Sequence, residues 1–430
     1  MTTPPAISVR SPRAARRGAA LVAASLVSAL LLAASAAAQS PPSWVADELL
    51  VRLRAGASSR VADAAFRAAG AQKLGEIEPL RVQRLRVPPA ALDAVAAALA
   101  RRPEVEFVEK NRLFAPDAVP DDPDYSLQWH LETLGLPQAW EFSTGSGANG
   151  VVVAILDSGV DPSHPDLASR LLPGMDTMSG GNDTSDLTGH GTRVAGAAAA
   201  AADNAVGVAS PNWHVQILPF RVTDSSGWTS AWALSTALTE AADQGARVAN
   251  MSFGGVAGDA TVRSAAQYMT EQGGVVVAGS GNCGCRESIS DTPYIISVGA
   301  TDQNDGLASF SSTGDYVDFT APGVSIRTTN RGGSYGSHSG TSYSGPVLAG
   351  ALALLLAIDP LLTASDVEAL LADTAVDVGD PGWDESFGHG RIDVYAAVVY
   401  LPEPVGTLLL AAGLCGLVAC GRARGVGLRA

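Results

Sequence analysis

Ser342 has the surroundings that nucleophilic chemistry requires of a serine. It lies among small residues in the stretch 340–345, directly before an apolar run that ends near Ala357. Because the run is apolar on every side, it is predicted to be a helix buried in a large core, with Ser342 at its N-terminus. The free N–H groups and the dipole of a helix N-terminus favour a developing anion. Taken alone, the stretch is equally compatible with a turn of small residues before a core helix.

A nucleophilic serine needs a histidine to accept its proton and a carboxylate to orient that histidine. Asp157 follows the apolar run 151–156, which is predicted to be a buried parallel strand. Open α/β sheets place their chemistry at the carboxyl ends of such strands. His190 lies between two glycines and opens the alanine-rich helix predicted over 193–202. The three residues follow one another along the chain as Asp157, His190 and Ser342.

Six short motifs resemble those of the subtilases, the family of subtilisin-like serine proteases, and in particular its secreted bacterial thermitase and subtilisin type. They are D-S-G-V-D with H-P-D-L at 157–167, G-H-G-T at 189–192, N-M-S-F-G at 250–254, G-N at 281–282, A-P-G at 321–323 and G-T-S at 340–342. Each motif alone is weak, but their common order, with Asp before His and His before Ser, is specific. The resemblance covers about residues 123–399.

The resemblance implies a serine endopeptidase that hydrolyses peptide bonds through an acyl-enzyme intermediate, without a catalytic metal. Ser342 would be the nucleophile, His190 its general base and later the general acid, and Asp157 the group that fixes the tautomer of His190. The side-chain amide of Asn282 and the backbone N–H of Ser342 would form the oxyanion hole.

The resemblance also implies two segments that bind substrate. A peptide would add as a strand along Ser252, Phe253 and Gly254. The floor of the specificity pocket is expected from four consecutive residues, namely Ala278, Gly279, Ser280 and Gly281. Neither segment contains a charged residue, which predicts a pocket for apolar or varied side chains.

Three positions depart from the pattern of the family. Tyr343 stands where the family usually has Met, and Arg193 and Val347 stand where it usually has His. None of the three is a triad position. We expect them to alter packing and stability more than mechanism.

Charge is divided unevenly along the chain. Residues 39–117 carry 12 Lys and Arg against 10 Asp and Glu, a net charge of +2, whereas residues 118–400 carry 9 Arg, no Lys and 32 Asp and Glu, a net charge of −23. A surface this acidic argues against nucleic-acid binding. With 430 residues, 47% of them hydrophobic, the chain is long and apolar enough for one large core and smaller units.

Residues 1–38 have the composition of a signal peptide. Four arginines, the last of them Arg17, precede an apolar run over 18–34, and alanines at 36–38 offer small residues for cleavage. A membrane anchor is the alternative. Arg16 and Arg17 could also form a twin-arginine signal, but the flanking residues fit general secretion better.

Residues 39–117 are predicted to be a small α+β domain. Its strands are expected at 48–53, 82–87 and 105–108, and its helices at 58–69 and 89–100. The pattern resembles the inhibitory propeptide of subtilases, so the chain's own propeptide is an expected partner; an unrelated small domain is the alternative. The Pro- and Asp-rich stretch 115–124 is predicted to be a linker, where a cut would release the mature enzyme.

Predicted strands and helices alternate in residues 118–400. The strands are expected at 151–157, 215–222, 247–252 and 274–278, and the helices at 231–244 and 365–372. Ser365 and Glu368 have the spacing of a capping box for the last helix. The alternation predicts an α/β fold, a doubly wound parallel sheet with helices on both faces, which the resemblance specifies as subtilisin-like.

The four cysteines are too few for a disulfide scaffold. Cys283 and Cys285 directly follow Asn282. They could pair in an exported protein, remain free thiols or bind a metal, and the sequence leaves these three alternatives open.

A structural calcium ion is implied by the resemblance alone. Asp166 matches a calcium ligand of the family, and the loop 203–207 matches the loop that completes that site, although it is about one residue shorter. A solvated acidic loop is the alternative.

Residues 401–430 contain a P-E-P sequence at 402–404 and a 16-residue apolar run at 405–420, which Arg422 and Arg424 follow. The run is shorter than the roughly 20 residues of a membrane-spanning helix. This order resembles the PEP-CTERM sorting signal, which an exosortase-type membrane enzyme processes in Gram-negative bacteria; a plain C-terminal anchor is the alternative. Both would place the catalytic domain outside the cytoplasm, in contact with the membrane only through the tail.

These observations predict an exported serine endopeptidase, extracellular or on the cell surface, that acts on protein or peptide substrates and matures by removal of its propeptide. Two other functions remain open: a catalytically silent binding protein with the subtilase fold, and an esterase that uses the same triad. The presence of the three triad residues together with Asn282 counts against the silent protein. Comparing the rates of hydrolysis of casein and of short-chain esters would distinguish an esterase from a protease.

Overall fold

The computed structural model describes residues 44–112, 118–146 and 150–401. The predicted signal peptide and the predicted sorting segment from residue 402 onward lie outside these residues, as does part of the predicted linker. Contacts within the chain separate two compact units, one within Gln39–Asp117 and the other from Ala118 onward.

The N-terminal unit is an antiparallel sheet of four strands packed against two helices. Its elements are β1 Trp44–Leu53, α1 Ser59–Ala68, β2 Gln72–Ile77, β3 Val82–Arg86, α2 Leu92–Ala100 and β4 Val105–Arg112. The strands lie in the order β2-β3-β1-β4. Leu49 and Leu85 from the sheet meet Phe66 and Leu99 from the helices in its core. The predicted small α+β domain is confirmed.

Strand β2 is the element of this unit that the sequence does not predict. Its apolar side chains are only Leu74 and Ile77, and all six of its residues are exposed or half-buried, as an edge strand allows. Backbone pairing with β3, with a bulge between Lys73 and Gly75, holds β2 in the sheet. No hydrophobic alternation is needed for such pairing, so the sequence carries no clear signal.

The second unit is built on a parallel sheet. Its strands are β5 Val152–Asp157, β6 Met175–Asp176, β7 Gln216–Arg221, β8 Val248–Met251, β9 Val275–Gly279, β10 Ile296–Thr301 and β11 Phe319–Pro322, in the spatial order β11-β10-β9-β8-β5-β7-β6. An antiparallel hairpin follows, formed by β12 Ile326–Asn330 and β13 Ser334–His338. The helices are α3 Trp129–Thr133, α4 Leu136–Trp140, α5 His190–Ala199, α6 Ala231–Asp243, α7 Ala260–Glu271, α8 Thr341–Ile358, α9 Ala364–Thr374 and α10 Val394–Tyr400.

Successive residues of β5 face two different hydrophobic layers. Val153 and Ile155 pack in the layer that contains α5 and α8, whereas Ala154 and Leu156 pack in the layer that contains α6 and α7. Because a strand points successive side chains to opposite faces, helices cover both faces of the sheet. This is the predicted doubly wound α/β architecture.

Helix α8 runs through the larger of these layers, as the apolar run after Ser342 predicts. Its residues from Tyr343 to Leu356 are all buried. Within the described residues it is the one helix long and apolar enough to cross a membrane, but 83% of it is buried inside the domain. The apolar character of α8 therefore belongs to a core helix.

The predicted capping box of α9 is wrong by two residues. Thr363, not Ser365, is the N-cap, and it exchanges bonds with Asp366, not Glu368: the N–H of Asp366 donates to Thr363 Oγ1 at 3.2 Å, and the N–H of Thr363 donates to Asp366 Oδ2 at 2.9 Å. Both pairs have the spacing of a capping box. The sequence pattern alone therefore does not choose between them.

Candidate active site

Three predicted site residues lie at the carboxyl-terminal edge of the parallel sheet. Asp157 is the last residue of β5, His190 is the first residue of α5, and Ser342 is the second residue of α8. The strand order reverses at β5, which has β7 on one side and β8 on the other. Doubly wound sheets bind their ligands in the crevice at such a reversal.

Asp157 and His190 form a hydrogen-bonded pair. The Nδ1 of His190 lies 2.8 and 3.0 Å from the two carboxylate oxygens of Asp157, whose side chain is 2% exposed. The charge of Asp157 raises the pKa of His190 above its usual value, although burial and the nearby Arg193 guanidinium oppose this shift. Because Nδ1 is held by the carboxylate, Nε2 is the ring nitrogen left to accept a proton.

A proline in α8 determines how Ser342 is held. Pro346 has no N–H, so the C=O of Ser342 lacks its usual helical donor. The Oγ of Ser252 donates to this carbonyl instead, at 3.2 Å, and the Nδ2 of Asn250 donates to Ser252 Oγ at 3.0 Å. The hydroxyl of Ser342 lies 3.5 Å from the C=O of Ser252. Ser252, which directly follows β8, thus contacts both the backbone C=O and the side-chain hydroxyl of Ser342.

The Asp157–His190 pair and Ser252, the partner of Ser342, lie at the same cavity. This cavity has a volume of about 320 Å³, and its lining includes Asp157, His190, Ser252 and Phe253. Among the hydrogen bonds of the described residues, the Ser342 hydroxyl bonds to Ser252 and not to His190. The hydrogen bond between a catalytic serine and its histidine is often long before substrate binds and shortens in the complex. The structure therefore joins Asp157 to His190, and Ser342 to the wall of the same cavity.

Asn282 lies beside the N-terminus of α8. The N–H of Thr341 donates to Asn282 Oδ1 at 2.9 Å, and Thr341 Oγ1 lies 3.2 Å from the same oxygen. Because the amide oxygen is engaged, the Nδ2 protons are the part of the side chain that remains to donate. Asn282 is exposed, and its bond to Thr341 places it beside the residue that directly precedes Ser342.

The first predicted substrate segment lines open space. Ser252 and Phe253 line the cavity at His190, and together with Gly254 they line an adjoining groove of about 550 Å³. The far wall of this groove includes Trp228, which is 76% exposed. This segment therefore has room beside it for an added peptide strand.

The second predicted substrate segment is more deeply buried. Ala278 and Ser280 are 1% and 0% exposed, and the Tyr316 hydroxyl donates to the C=O of Ser280 at 2.6 Å. A Cβ on Gly254 would lie 2.9 Å from the Cα of Gly281, so the two segments approach closely. Residues 278–281 line neither of the two cavities described above, and their place in a specificity pocket stays a prediction.

Asp186 is a residue of this region that the sequence analysis misses. It is 6% exposed, and it accepts from the Oγ of Ser158 at 2.7 Å, from the N–H of Gly189 at 2.8 Å and from the N–H of Thr192 at 2.9 Å. It thereby connects the residue after Asp157 to the backbone on both sides of His190. The available signal is an Asp shortly before a predicted helix, where a carboxylate can satisfy free N–H groups.

Asp166 lies near a second buried carboxylate, that of Asp122. Asp166 is 0% exposed and accepts from Asn204 Nδ2 at 3.1 Å and from the N–H of Val208 at 3.0 Å. Oδ1 of Asp122 is buried without a hydrogen-bond partner in the described part of the chain. Burial raises the pKa of both carboxyl groups, and the charge of Asp166 adds to the rise at Asp122.

An orphaned carboxylate oxygen near a second carboxylate fits the hard oxygen ligands that calcium prefers. Residues 44–112, 118–146 and 150–401 contain no group of three or more His, Cys, Asp or Glu side chains placed to hold a metal. A cation at Asp166 and Asp122 would therefore take its remaining ligands from amide and carbonyl oxygens, which calcium accepts. Asp122 is a second residue that the sequence analysis misses.

The segment around Asp122 is fastened to the domain by carboxylates. Asp121 Oδ1 accepts from the N–H of Ala205 at 2.7 Å, and Asp122 Oδ2 accepts from the N–H of Asp203 at 2.7 Å. Asp124 pairs with the guanidinium of Arg327 at 2.8 Å. Residues 121–124 are therefore bonded both to the loop at 203–207 and to β12.

Cys283 and Cys285 form a disulfide across Gly284. Of the three alternatives that the sequence leaves open for these cysteines, the structure has the pair. Both cysteines are exposed.

A doubly wound sheet with an Asp–His pair at its edge is the architecture of one class of serine hydrolase. The sequence model of the subtilase family matches residues 148–390, and that of the fervidolysin N-terminal prodomain matches residues 32–111. The chain therefore belongs to the subtilase family and is a serine protease with an N-terminal prodomain.

The relatives agree with this assignment. The chain is 34% identical over 361 residues to a thermophilic serine proteinase of Bacillus sp. (strain AK1). The aligned residues cover 83% of this chain and 88% of that protein. It is 38% identical over 284 residues to thermitase of Thermoactinomyces vulgaris, covering 65% of this chain and 99% of thermitase. Its fold is similar to that of a protease from Pseudoalteromonas arctica, with a TM-score of 0.59 and 29% identity, over 66% of this chain and 99% of that one.

Replacing Asp186 by Ala is expected to destabilise the catalytic domain by about 3–5 kcal/mol, because each buried donor left without an acceptor costs about 1–3 kcal/mol. The measurement is the melting temperature in a Ser342→Ala background, where proteolysis does not obscure unfolding; a fall of about 10 °C is expected. The control is Asp183→Ala, since the Asp183 side chain is 70% exposed and its ion pair contributes little. Equal melting temperatures for the two variants would contradict the connecting role of Asp186.

Proposed function

We propose that this chain is an exported serine endopeptidase whose triad is Asp157, His190 and Ser342. The observation that carries the proposal is the 2.8 Å pair of His190 Nδ1 and Asp157 at a cavity that is also lined by Ser252, the partner of Ser342. Ser342 attacks the peptide carbonyl, and His190 takes its proton and returns it to the leaving amine. Asp157 stabilises the imidazolium, and water then hydrolyses the acyl-enzyme.

The oxyanion of the tetrahedral intermediate is stabilised by two donors, the Nδ2 of Asn282 and the N–H of Ser342. The bond from Thr341 to Asn282 Oδ1 supports this assignment because it leaves the amide protons as donors. The N–H of Ser342 lies in the first turn of α8, where backbone donors have no helical partner. Such preorganised donors act on charge that develops only in the transition state.

Peptide substrate binds as a strand along Ser252, Phe253 and Gly254, main chain to main chain. The groove beside this segment is walled by Trp228 and by Val262. The one carboxylate in its lining, Asp259, is engaged as the N-cap of α7. The groove therefore favours apolar substrate side chains. The floor of the specificity pocket is proposed separately at residues 278–281, which are not part of the lining of this groove.

A fluorophosphonate probe tests the proposed nucleophile, because it labels a serine activated by a base. We expect the label on Ser342, together with faster hydrolysis of casein than of short-chain esters. Absence of labelling in a folded protein would instead support a silent binding protein, and a preference for esters would support an esterase.

The propeptide, residues 39–117, is proposed to inhibit the enzyme until the chain cuts itself within 115–124. The propeptide has a net charge of +2 and residues 118–400 have a net charge of −23. These opposite charges favour binding of the propeptide to the catalytic domain, most strongly at low salt. We expect Ser342→Ala to accumulate as an uncut precursor when purified without other proteases. We also expect residues 39–117, added in trans, to inhibit the mature enzyme less strongly at high salt. Processing of Ser342→Ala at the wild-type rate would contradict self-maturation.

A structural calcium ion is proposed at Asp166 and Asp122, which would hold it with loop oxygens from 203–207. It would neutralise two buried carboxylates. We expect a chelator to lower the melting temperature of the Ser342→Ala protein by several degrees and added calcium to restore it. Asp122→Asn should abolish this response, whereas Asp183→Asn should keep it, because the Asp183 side chain is 70% exposed and pairs with Arg221. A full response in Asp122→Asn would place the ion elsewhere.

Export is proposed through residues 1–38, and sorting to the surface of a Gram-negative cell through residues 401–430, with an exosortase-type enzyme as partner. The compositions of the two segments support this proposal. Mass spectrometry of the protein from its own host tests it. We expect no peptide beyond the P-E-P sequence at 402–404 in the mature protein, and an intact C-terminal peptide in membranes would instead support a plain anchor.

A further inference from the structure

The disulfide between Cys283 and Cys285 begins at the residue after Asn282. It closes a small ring with only Gly284 between the two cysteines. Gly284 has φ +60°, and a Cβ at this position would lie 2.5 Å from the C=O of Ser309, so the ring requires glycine here. The backbone that carries Asn282 therefore enters a closed covalent ring.

The ring is also bonded along one side to the segment 310–313. The bonds are from Ser312 N–H to Gly281 C=O at 2.9 Å, from Cys283 N–H to Ser312 Oγ at 3.2 Å, from Gly284 N–H to Phe310 C=O at 2.8 Å and from Thr313 N–H to Cys285 C=O at 3.0 Å. These bonds lie on both sides of Asn282 in sequence. They fix the ring relative to the domain.

Asn282 itself has little else to hold its backbone. The residue is exposed, so packing supports it less than it would a buried side chain. Its amide oxygen is bonded to Thr341, next to Ser342. An exposed donor whose side chain is bonded only through its amide oxygen, to Thr341, depends largely on its backbone for position. An oxyanion donor must be placed to within a few tenths of an ångström.

We propose that the Cys283–Cys285 disulfide is a positioning element for the oxyanion donor Asn282, and that its loss slows the chemical step without weakening substrate binding. This inference rests on the proposed function, in which Asn282 Nδ2 stabilises the oxyanion. Both cysteines are exposed, so we expect a thiol reagent to reach the disulfide. Dithiothreitol would give two electrons and two protons to the disulfide, forming two cysteine thiols and its own cyclic disulfide.

The test measures kcat and KM of the full chain, as secreted and matured, with and without the disulfide. Cys283→Ser/Cys285→Ser is expected to lower kcat about tenfold, less than the 10² to 10³ expected for loss of the donor itself, with KM unchanged. Dithiothreitol should reproduce this fall in the wild type and reoxidation should reverse it. In the double serine variant the reagent should have no effect, which controls for the other cysteines.

Two readouts separate positioning from stability. Active-site titration counts competent molecules, so partial unfolding lowers the titre and not kcat per titrated site. The second readout is the Asn282→Ala background, in which removal of the disulfide should cause no further fall in kcat, since the donor is already absent. Equal falls in both backgrounds, or a lower melting temperature with unchanged kcat, would overturn the inference. If Asn282→Ala alone leaves kcat unchanged, the oxyanion assignment fails, and the inference fails with it.

Discussion

Replacing Ser342 by Ala is expected to lower kcat by about 10⁶, the size of loss known for the triad of a subtilisin. In the proposed mechanism the hydroxyl supplies the electron pair that attacks the substrate carbonyl. Without it, only the oxyanion donors and substrate binding remain, which together give about 10³–10⁴ over the reaction in water. The measurement is steady-state hydrolysis of a peptide anilide, with circular dichroism to verify folding.

The matched control for this substitution is Ser344→Ala. Ser344 lies two residues further along α8, is buried, and donates from Oγ to the C=O of Thr341 at 3.1 Å. Its loss is expected to change kcat by less than about tenfold, because it removes only the bonds of one hydroxyl to the C=O groups of Thr341 and Val298. The double variant Ser342→Ala/His190→Ala should be little slower than either single variant, since triad members act as a unit. Multiplying losses would show that the residues act independently.

Exchange of Asp157 for Asn is expected to lower kcat by about 10⁴. The carboxylate accepts a bond from His190 Nδ1–H. In the proposed mechanism this leaves Nε2 free to take the proton of Ser342. An amide can instead donate to Nδ1, which moves the imidazole proton to Nε2 and blocks that transfer. Hydrolysis of the same anilide measures the loss. Activity within tenfold of the wild type would remove Asp157 from the triad.

The pH profile of kcat/KM provides a second readout of the same pair. His190 must be neutral to act as a base, so activity rises as pH passes upward through its pKa. Asp157 raises that pKa, so Asp157→Asn should move the acidic limb to lower pH. Arg193 lowers it, so Arg193→Gln should move the limb to higher pH. Shifts in the same direction for both variants would contradict this electrostatic account.

The sequence predicts the fold because its main signals are local. The apolar run before Asp157 predicts β5, and the apolar run after Ser342 predicts the buried helix α8. Each places its polar residue at an end of an element, and the end of a parallel strand is where chemistry is found. His190 is likewise the first residue of its helix, α5, and it pairs with Asp157 at this end of the strand.

The residues that the sequence analysis misses act through partners distant in the chain. Asp186 bonds to the residue after Asp157, and Asp122 meets a loop and a carboxylate that lie far along the chain. Acidic residues in polar loops have no periodicity that distinguishes a buried carboxylate from a solvated one. The role of Pro346 is hidden for a similar reason, because the carbonyl that it leaves free finds its donor in Ser252.

The carboxylates of Asp121, Asp122 and Asp124 have a consequence for the molecule after maturation. If the proposed cut falls in the first part of the linker, before residue 121, the new chain end would lie a few residues before these bonds. Chain ends normally fray, because their residues keep the conformational freedom that folding removes elsewhere. The bonds of residues 121–124 would remove that freedom close to such a cut. The new N-terminus would then offer little loose chain to an exopeptidase and a poor starting point for unfolding from the end.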